Sequence, residues 1–169
     1  MVPTVSSGAR PAAAATQCDT YWGSLSKDSS ASSFQPLVNI RTGEDPCYDR
    51  MVLDLPGTSA LLPVGYHVHY VDALEQDPSG EPIPVAGGAI LEIVVRAPSY
   101  GPNYTPTYPG RVGQPLPGVD ITGYRTFVDT RFASTFEGDT QLGLGVRARL
   151  PFRVFQLDNR LVIDVAHSW

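Results

Sequence analysis

Apolar and polar positions alternate with a period of two along most of this chain. Residues 66–71 put Tyr66, Val68 and Tyr70 on one side and His67 and His69 on the other. In residues 48–55, Met51, Leu53 and Leu55 share a side, and Arg50, Val52 and Asp54 share the opposite one. Successive side chains of a strand point to opposite faces, so this period predicts half-buried β-strands. Further strands are expected at residues 37–41, 119–124, 127–136, 141–147 and 152–157. Residues 89–96 are apolar except for Glu92 and the terminal Arg96, the pattern of a central strand covered on both faces. In residues 141–147, Leu142, Leu144 and Val146 face inward. Gly143 and Gly145 face the other way and leave room for another backbone or a ligand.

Turn-forming residues punctuate these runs at Thr42-Gly43-Glu44-Asp45-Pro46, Glu137-Gly138-Asp139 and Asp158-Asn159. Residues 56–63 read as a loop, and 74–88 as a long loop or hairpin end. Residues 97–118 are too rich in proline for a regular strand. No helical period of useful length interrupts the pattern. Apolar strand faces can then be buried only by packing sheet on sheet, so the expected fold is an all-β, two-sheet β-sandwich.

One motif occurs twice. Arg50-Met51-Val52-Leu53-Asp54-Leu55 returns as Arg160-Leu161-Val162-Ile163-Asp164-Val165. Both copies read Arg-apolar-Val-apolar-Asp-apolar, and each follows a turn-like residue, Asp49 or Asn159. Copies this far apart are not a short-period solenoid. They predict equivalent strands in the two halves of one β-domain.

The length of 169 residues suits one domain with a modest tail. The net charge of −5 and the lack of a basic stripe argue against nucleic acid as a partner. No apolar run approaches the roughly 20 residues of a membrane span. The run Ala12 to Ala15 followed by Thr16-Gln17 looks like the cleavage region of a secretory signal whose charged start and apolar core are missing. The expectation is a longer precursor, a secreted or envelope location, and residues 1–33 as leader remnant and flexible arm ahead of a domain at 34–169. In an exported protein the even pair Cys18 and Cys47 reads as a disulfide tying the arm to the turn before the first motif copy. In a cytosolic protein the same pair would be two free buried thiols.

Candidate chemistry is sparse. His67 and His69 alternate on a strand and could share a metal ion with His167 or Asp72 as a third ligand. The plainer reading is two solvated histidines on an outer face. Asp54 and Asp164 could be paired acids, but each has an arginine on its own face, so cross-strand ion pairs are the plainer reading. Asp129, Glu137 and Asp139 with Arg125, Arg131, Arg147 and Arg149 read mostly as surface salt bridges. Any remaining arginines are free to recognise a charged envelope ligand. Tyr100, Tyr104 and Tyr108 recur every four residues. Pro102, Pro106 and Pro109 forbid a helix there, so the rings decorate an extended loop, either to meet sugar rings and peptide stems or to cover the sandwich edge. There is no Gly-x-Ser-x-Gly element and no Cys-x-x-Cys pair.

The paired motif resembles the strand signatures of AMIN domains, the targeting modules of bacterial cell-wall amidases that also occur on secretin-type proteins. The closer resemblance is to the AMIN-like group of secreted actinobacterial proteins. It rests also on Cys47-Tyr48-Asp49-Arg50, residues 66–72 and 91–100, Gly123-Tyr124-Arg125-Thr126-Phe127, Phe136-Glu137-Gly138 and residues 142–169. It implies an AMIN-type β-sandwich that binds peptidoglycan or an envelope protein without catalysis and without a cofactor. The expected contacts are Tyr100, Tyr104, Tyr108, Arg125, Arg147 and Arg149. The amidase pattern is not followed throughout. The zinc-amidase ligand set is missing, and no catalytic domain is expected after Trp169. The rival expectations are an envelope hydrolase using His67, His69 and Asp72, and an assembly protein without a small ligand.

Overall fold

The computed structural model describes residues 17–31 and 33–169, and the leader-like run at 12–16 lies outside them. The strands are β1 (Lys27–Ser29), β2 (Asn39–Glu44), β3 (Tyr48–Asp54), β4 (Tyr66–Val71), β5 (Leu74–Glu75), β6 (Pro82–Ile83), β7 (Ala89–Val95), β8 (Phe127–Phe136), β9 (Asp139–Val146), β10 (Phe152–Leu157) and β11 (Arg160–Ala166). They form a five-stranded sheet in the order β1-β4-β7-β9-β8 and a four-stranded sheet in the order β10-β11-β3-β2, with β5-β6 as a separate hairpin. All strand pairings are antiparallel. The expected all-β sandwich is therefore the observed fold. Among the described residues, no helix is long and apolar enough to cross a membrane.

The core forms where the inward faces meet. Met51 and Leu53 of β3, Leu91, Ile93 and Val95 of β7, Leu142, Leu144 and Val146 of β9, and Leu161, Ile163 and Val165 of β11 belong to one buried cluster. Each set comes from alternate positions, as the period of two requires. β4 keeps its expected facing, with Val68 fully buried and Tyr66 and Tyr70 packed against the cluster.

The twin hexapeptides are β3 and β11, but they do not lie in separate halves. They are neighbours in one sheet, paired residue for residue. Val52 faces Val162, Arg50 faces Asp164, and Arg160 faces Asp54, so a local two-fold passes through the Val52–Val162 pair. An Arg and an Asp four residues apart fall opposite each other when two such copies run antiparallel. Each copy thereby presents its arginine to the other's carboxylate.

The glycines of β9 do admit another backbone. A Cβ on Gly145 would sit 1.9 Å from the Ala86 carbonyl oxygen, and one on Gly143 would sit 2.4 Å from the Leu74 side chain. The segment carrying β5 and β6 therefore lies on the outer face of the five-stranded sheet. Leu74 and Ile83 form a second small core there with Ala133, against which Ile90 and Val85 pack.

Three details depart from the sequence reading. β2 starts at Asn39 and runs through Thr42-Gly43-Glu44, because pairing with β3 continues to Asp49 and outweighs the local turn preference. Residues 119–124 form turns instead of a strand. Gly118 and Gly123 take positive φ, and the Asp120 carboxylate accepts the Thr122 amide in an Asx-type turn. The arm contributes β1 to the main sheet, and the Gly23 carbonyl accepts the Phe152 amide at the edge of β10. The Cys18–Cys47 disulfide anchors this arm, as expected.

Candidate binding cleft

The tyrosines and the arginines singled out from the sequence lie at opposite ends of the five-stranded sheet. At one end the β8–β9 turn brings Phe136 opposite Asp139, and at the other Phe127 pairs with Val146. β8 has ten residues, which separates these ends by roughly 30 Å.

Tyr100 and Tyr104 stand at the β8–β9 turn end. An isolated bridge joins Tyr100 to Pro106, and the Gly101 amide donates to the Thr105 carbonyl, which closes a tight loop. Asn103 and Tyr104 at its tip have φ of 60° and 58°. Consecutive non-glycine residues in the left-handed region are uncommon, and a bulky aromatic there is strained. Tyr104 is 81% exposed. Its ring centroid lies 5.4 Å from that of Tyr100 at an interplanar angle of 40°. Together with Pro106, Phe136 and Glu137 the two rings line a cleft of about 370 Å³.

Tyr108 takes a different role. It is only 3% exposed, its hydroxyl donates to the Pro117 carbonyl at 2.8 Å, and burial pushes its pKa up. It forms part of the cleft's floor while belonging to the core. Phe136 and Glu137 were not singled out as contacts from the sequence. The clue was their place at a tight turn, where Glu137 also has positive φ and the Phe136 ring is left exposed.

The three arginines each have local business. Arg125 reaches toward the Pro46 carbonyl at 3.4 Å, and Arg147 donates to the His167 carbonyl. Arg149 lies over the Tyr70 ring at 5.4 Å. None of them lines the aromatic cleft.

His67 and His69 do sit side by side on the outer sheet face, with ring centroids 4.0 Å apart. Their neighbours are set by strand register. Asp28 of β1 is opposite His67 and forms an ion pair with its Nδ1, and Glu92 of β7 is opposite His69, with 3.7 Å between Nε2 and the carboxylate. Burial lowers the pKa of His69, helped by His67 and opposed by Glu92 and Asp28. The suggested third ligands lie elsewhere. His167 is buried against Thr126 and Asp45, and Asp72 lines a cleft with Arg149. Among the described residues, no group of three or more His, Cys, Asp or Glu side chains is placed to hold a metal ion.

The motif carboxylates are ion-paired. Asp164, fully buried, accepts from Arg50 Nε at 2.7 Å, Arg50 Nη2 at 2.9 Å and Arg153 Nε at 2.8 Å. The two guanidiniums lie over the rings of Tyr48 and Phe155, and Arg153 also lies over Trp22 of the arm. Asp54 is more exposed and accepts from Arg41 and Asn39. Burial pushes its pKa up, but the hydrogen bonds from Arg41 and Asn39 outweigh this and hold it below the usual value.

One buried constellation has a nucleophile, an imidazole and a carboxylate. Thr126 Oγ1 lies 2.7 Å from His167 Nδ1, and His167 Nε2 lies 3.9 Å from Asp49 Oδ1. The Asp45 carbonyl 2.8 Å from Nε2 can only accept, so Nε2 carries a proton. Asp49 Oδ2 accepts the amides of Thr126 and Phe127 and so starts β8. All three side chains are buried, which leaves Thr126 no substrate to attack. The network joins β3, β8 and the end of β11.

The chain is in form a disulfide-tied antiparallel β-sandwich with an aromatic cleft on its surface. The chain belongs to the AMIN-like domain family, whose model matches residues 35–167. Comparison with curated proteins and with solved structures finds no match in either.

Proposed function

We propose that this protein is a non-catalytic binding module of the cell envelope that recognises peptidoglycan or an envelope protein through the Tyr100–Tyr104–Phe136 cleft. The observation that carries this reading is the Tyr100–Tyr104 pair, held open on a strained loop above an apolar floor. Strain is retained where the surrounding structure and the function both use it. Tyrosines offer an apolar face and a polar tip, which suits sugar rings and peptide stems. Family membership supports the envelope setting. The disulfide supports an oxidising compartment outside the cytoplasm. A hydrolase built on His67, His69 and Asp72 gains no support, because Asp72 does not join the histidines.

Sedimentation with purified sacculi tests the reading. The protein is expected in the pellet, and Tyr104→Ala is expected to shift it to the supernatant. Tyr104 touches solvent on most of its surface, so the variant should melt as the parent does. A parent protein that stays in the supernatant, or a variant that pellets equally well, overturns wall binding through this cleft.

A further inference from the structure

A second cleft, of about 310 Å³, opens beside the end of β4. Tyr70, Asp72, Val85, Gly88, Ile90 and Arg149 are among its lining residues. Its size falls at the lower end of the range for small-molecule sites. It carries one group of each charge, and among the described residues neither has a counter-ion. Arg149 lies over the Tyr70 ring, with no carboxylate on its guanidinium. Asp72 is exposed, with no cation or hydrogen-bond donor on its carboxylate. Among the described residues Arg41, Arg50, Arg96, Arg131 and Arg153 are ion-paired, while Arg149, like Arg111, Arg125, Arg147 and Arg160, is not. Arg149 and Asp72 share one cleft and still do not pair with each other.

The walls around these charges are fixed. The Tyr70 hydroxyl donates to the Leu150 carbonyl at 2.7 Å and accepts the Leu150 amide at 3.0 Å. Burial raises its pKa to about 12, so it keeps its proton and both bonds at neutral pH. The Trp169 indole donates to the Arg149 carbonyl at 3.0 Å. The opposite wall rests against the same loop, since a Cβ on Gly88 would lie 2.0 Å from the Arg147 carbonyl oxygen. The backbone on both sides of Arg149 is therefore held, and the guanidinium fork is left free. A preorganised fork suits a carboxylate bidentately. The carboxylate of Asp72 suits an ammonium group, and Val85 and Ile90 offer apolar surface for a short side chain.

We propose that this cleft binds a small zwitterion of the amino-acid type, with its carboxylate on Arg149 and its ammonium on Asp72. The site is separate from the aromatic cleft and does not rest on wall binding. Such a group can be a free amino acid or the ends of a short peptide.

The test is an amide-resolved NMR titration of the whole chain with L-alanine, N-acetyl-L-alanine, L-alaninamide and L-alanyl-L-alanine. Saturable shifts at Gly87, Gly88 and Arg149 are expected with alanine. Acetylation or amidation should weaken binding about tenfold or more by removing one charge. Tighter binding of the dipeptide assigns the natural source to peptides, and tighter binding of alanine assigns it to free amino acids. Asp72→Asn and Arg149→Met should abolish saturation, and Arg149→Lys should retain a weakened response. Both residues are exposed, so unchanged melting is expected throughout. The proposal is overturned by no saturable shift up to tens of millimolar alanine. Equal binding of all four probes, or a response that survives Arg149→Met, overturns it as well.

Discussion

The two motif aspartates occupy the same place in the same hexapeptide, yet replacing each by asparagine should have very different costs. Asp164 is fully buried and takes three hydrogen bonds from Arg50 and Arg153. Breaking a buried ion pair by removing one partner costs about 3–5 kcal/mol. Here the orphaned guanidiniums keep side-chain exposures of 32% and 38% and can recover part of their hydration. Asparagine also keeps one acceptor oxygen. The lower end, about 3 kcal/mol, is therefore the expected cost of Asp164→Asn. Asp54 faces an Arg41 side chain that is 50% exposed, so its pair belongs to the surface class. Asp54→Asn should cost about 0–1 kcal/mol. Urea unfolding of the oxidised protein measures both, and an unchanged slope shows that the two states being compared are the same. Added salt should shrink the Asp54 effect and leave the Asp164 effect nearly intact. Costs within about 0.5 kcal/mol of each other would refute the argument that burial separates the twins.

Two further outcomes follow from the same contacts. Cys18→Ser with Cys47→Ser opens a loop whose ends are 29 residues apart, and the chain-entropy estimate is a loss of about 3–4 kcal/mol. Thermal melting with and without reductant measures this, and the double variant should no longer respond to reductant. Acidification should destabilise the fold through His69, whose pKa lies below its ordinary value of 6.5 in the folded protein. Its contribution is fully present above 6.5 and is lost as pH falls through the lowered folded value. His69→Gln should flatten that part of the stability–pH curve, as read from melting temperatures between pH 7 and pH 5.

Local patterning was enough for most strands and for their facing, while the disulfide was read from the even cysteine pair and the export-like leader. Strand side chains alternate whatever the neighbour, so Met51, Leu53, Leu142 and Leu144 announce their inward faces without any knowledge of the partner strand. The absence of a side chain at Gly143 and Gly145 likewise announced that something would approach there. What approaches, and which strand pairs with which, was decided by tertiary packing. Backbone ladders are nearly blind to sequence, so nothing in the two hexapeptides said that they would lie side by side. The strands on either side made the difference between Asp54 and Asp164, since β10 brings Arg153 to Asp164 and β2 brings Asn39 and Arg41 to Asp54. Arg50, Arg153 and the neighbouring rings cover one carboxylate, while the other stays near the rim.

The same reason separates the candidate contacts. Tyr100, Tyr104 and Tyr108 share a chemistry and a spacing, but the strained loop turns Tyr104 outward and the core claims Tyr108. Residues 119–124 carry a strand-like pattern that Gly118 before them and Gly123 within them, both with positive φ, turn aside. Asp72 and Arg149, far apart in the chain, meet in one cleft only because β4 and the β9–β10 loop converge there. Periodicity is a property of consecutive residues and can be read along the chain. A site is a property of residues that become neighbours on folding, and the long-range packing of two sheets alone determines it.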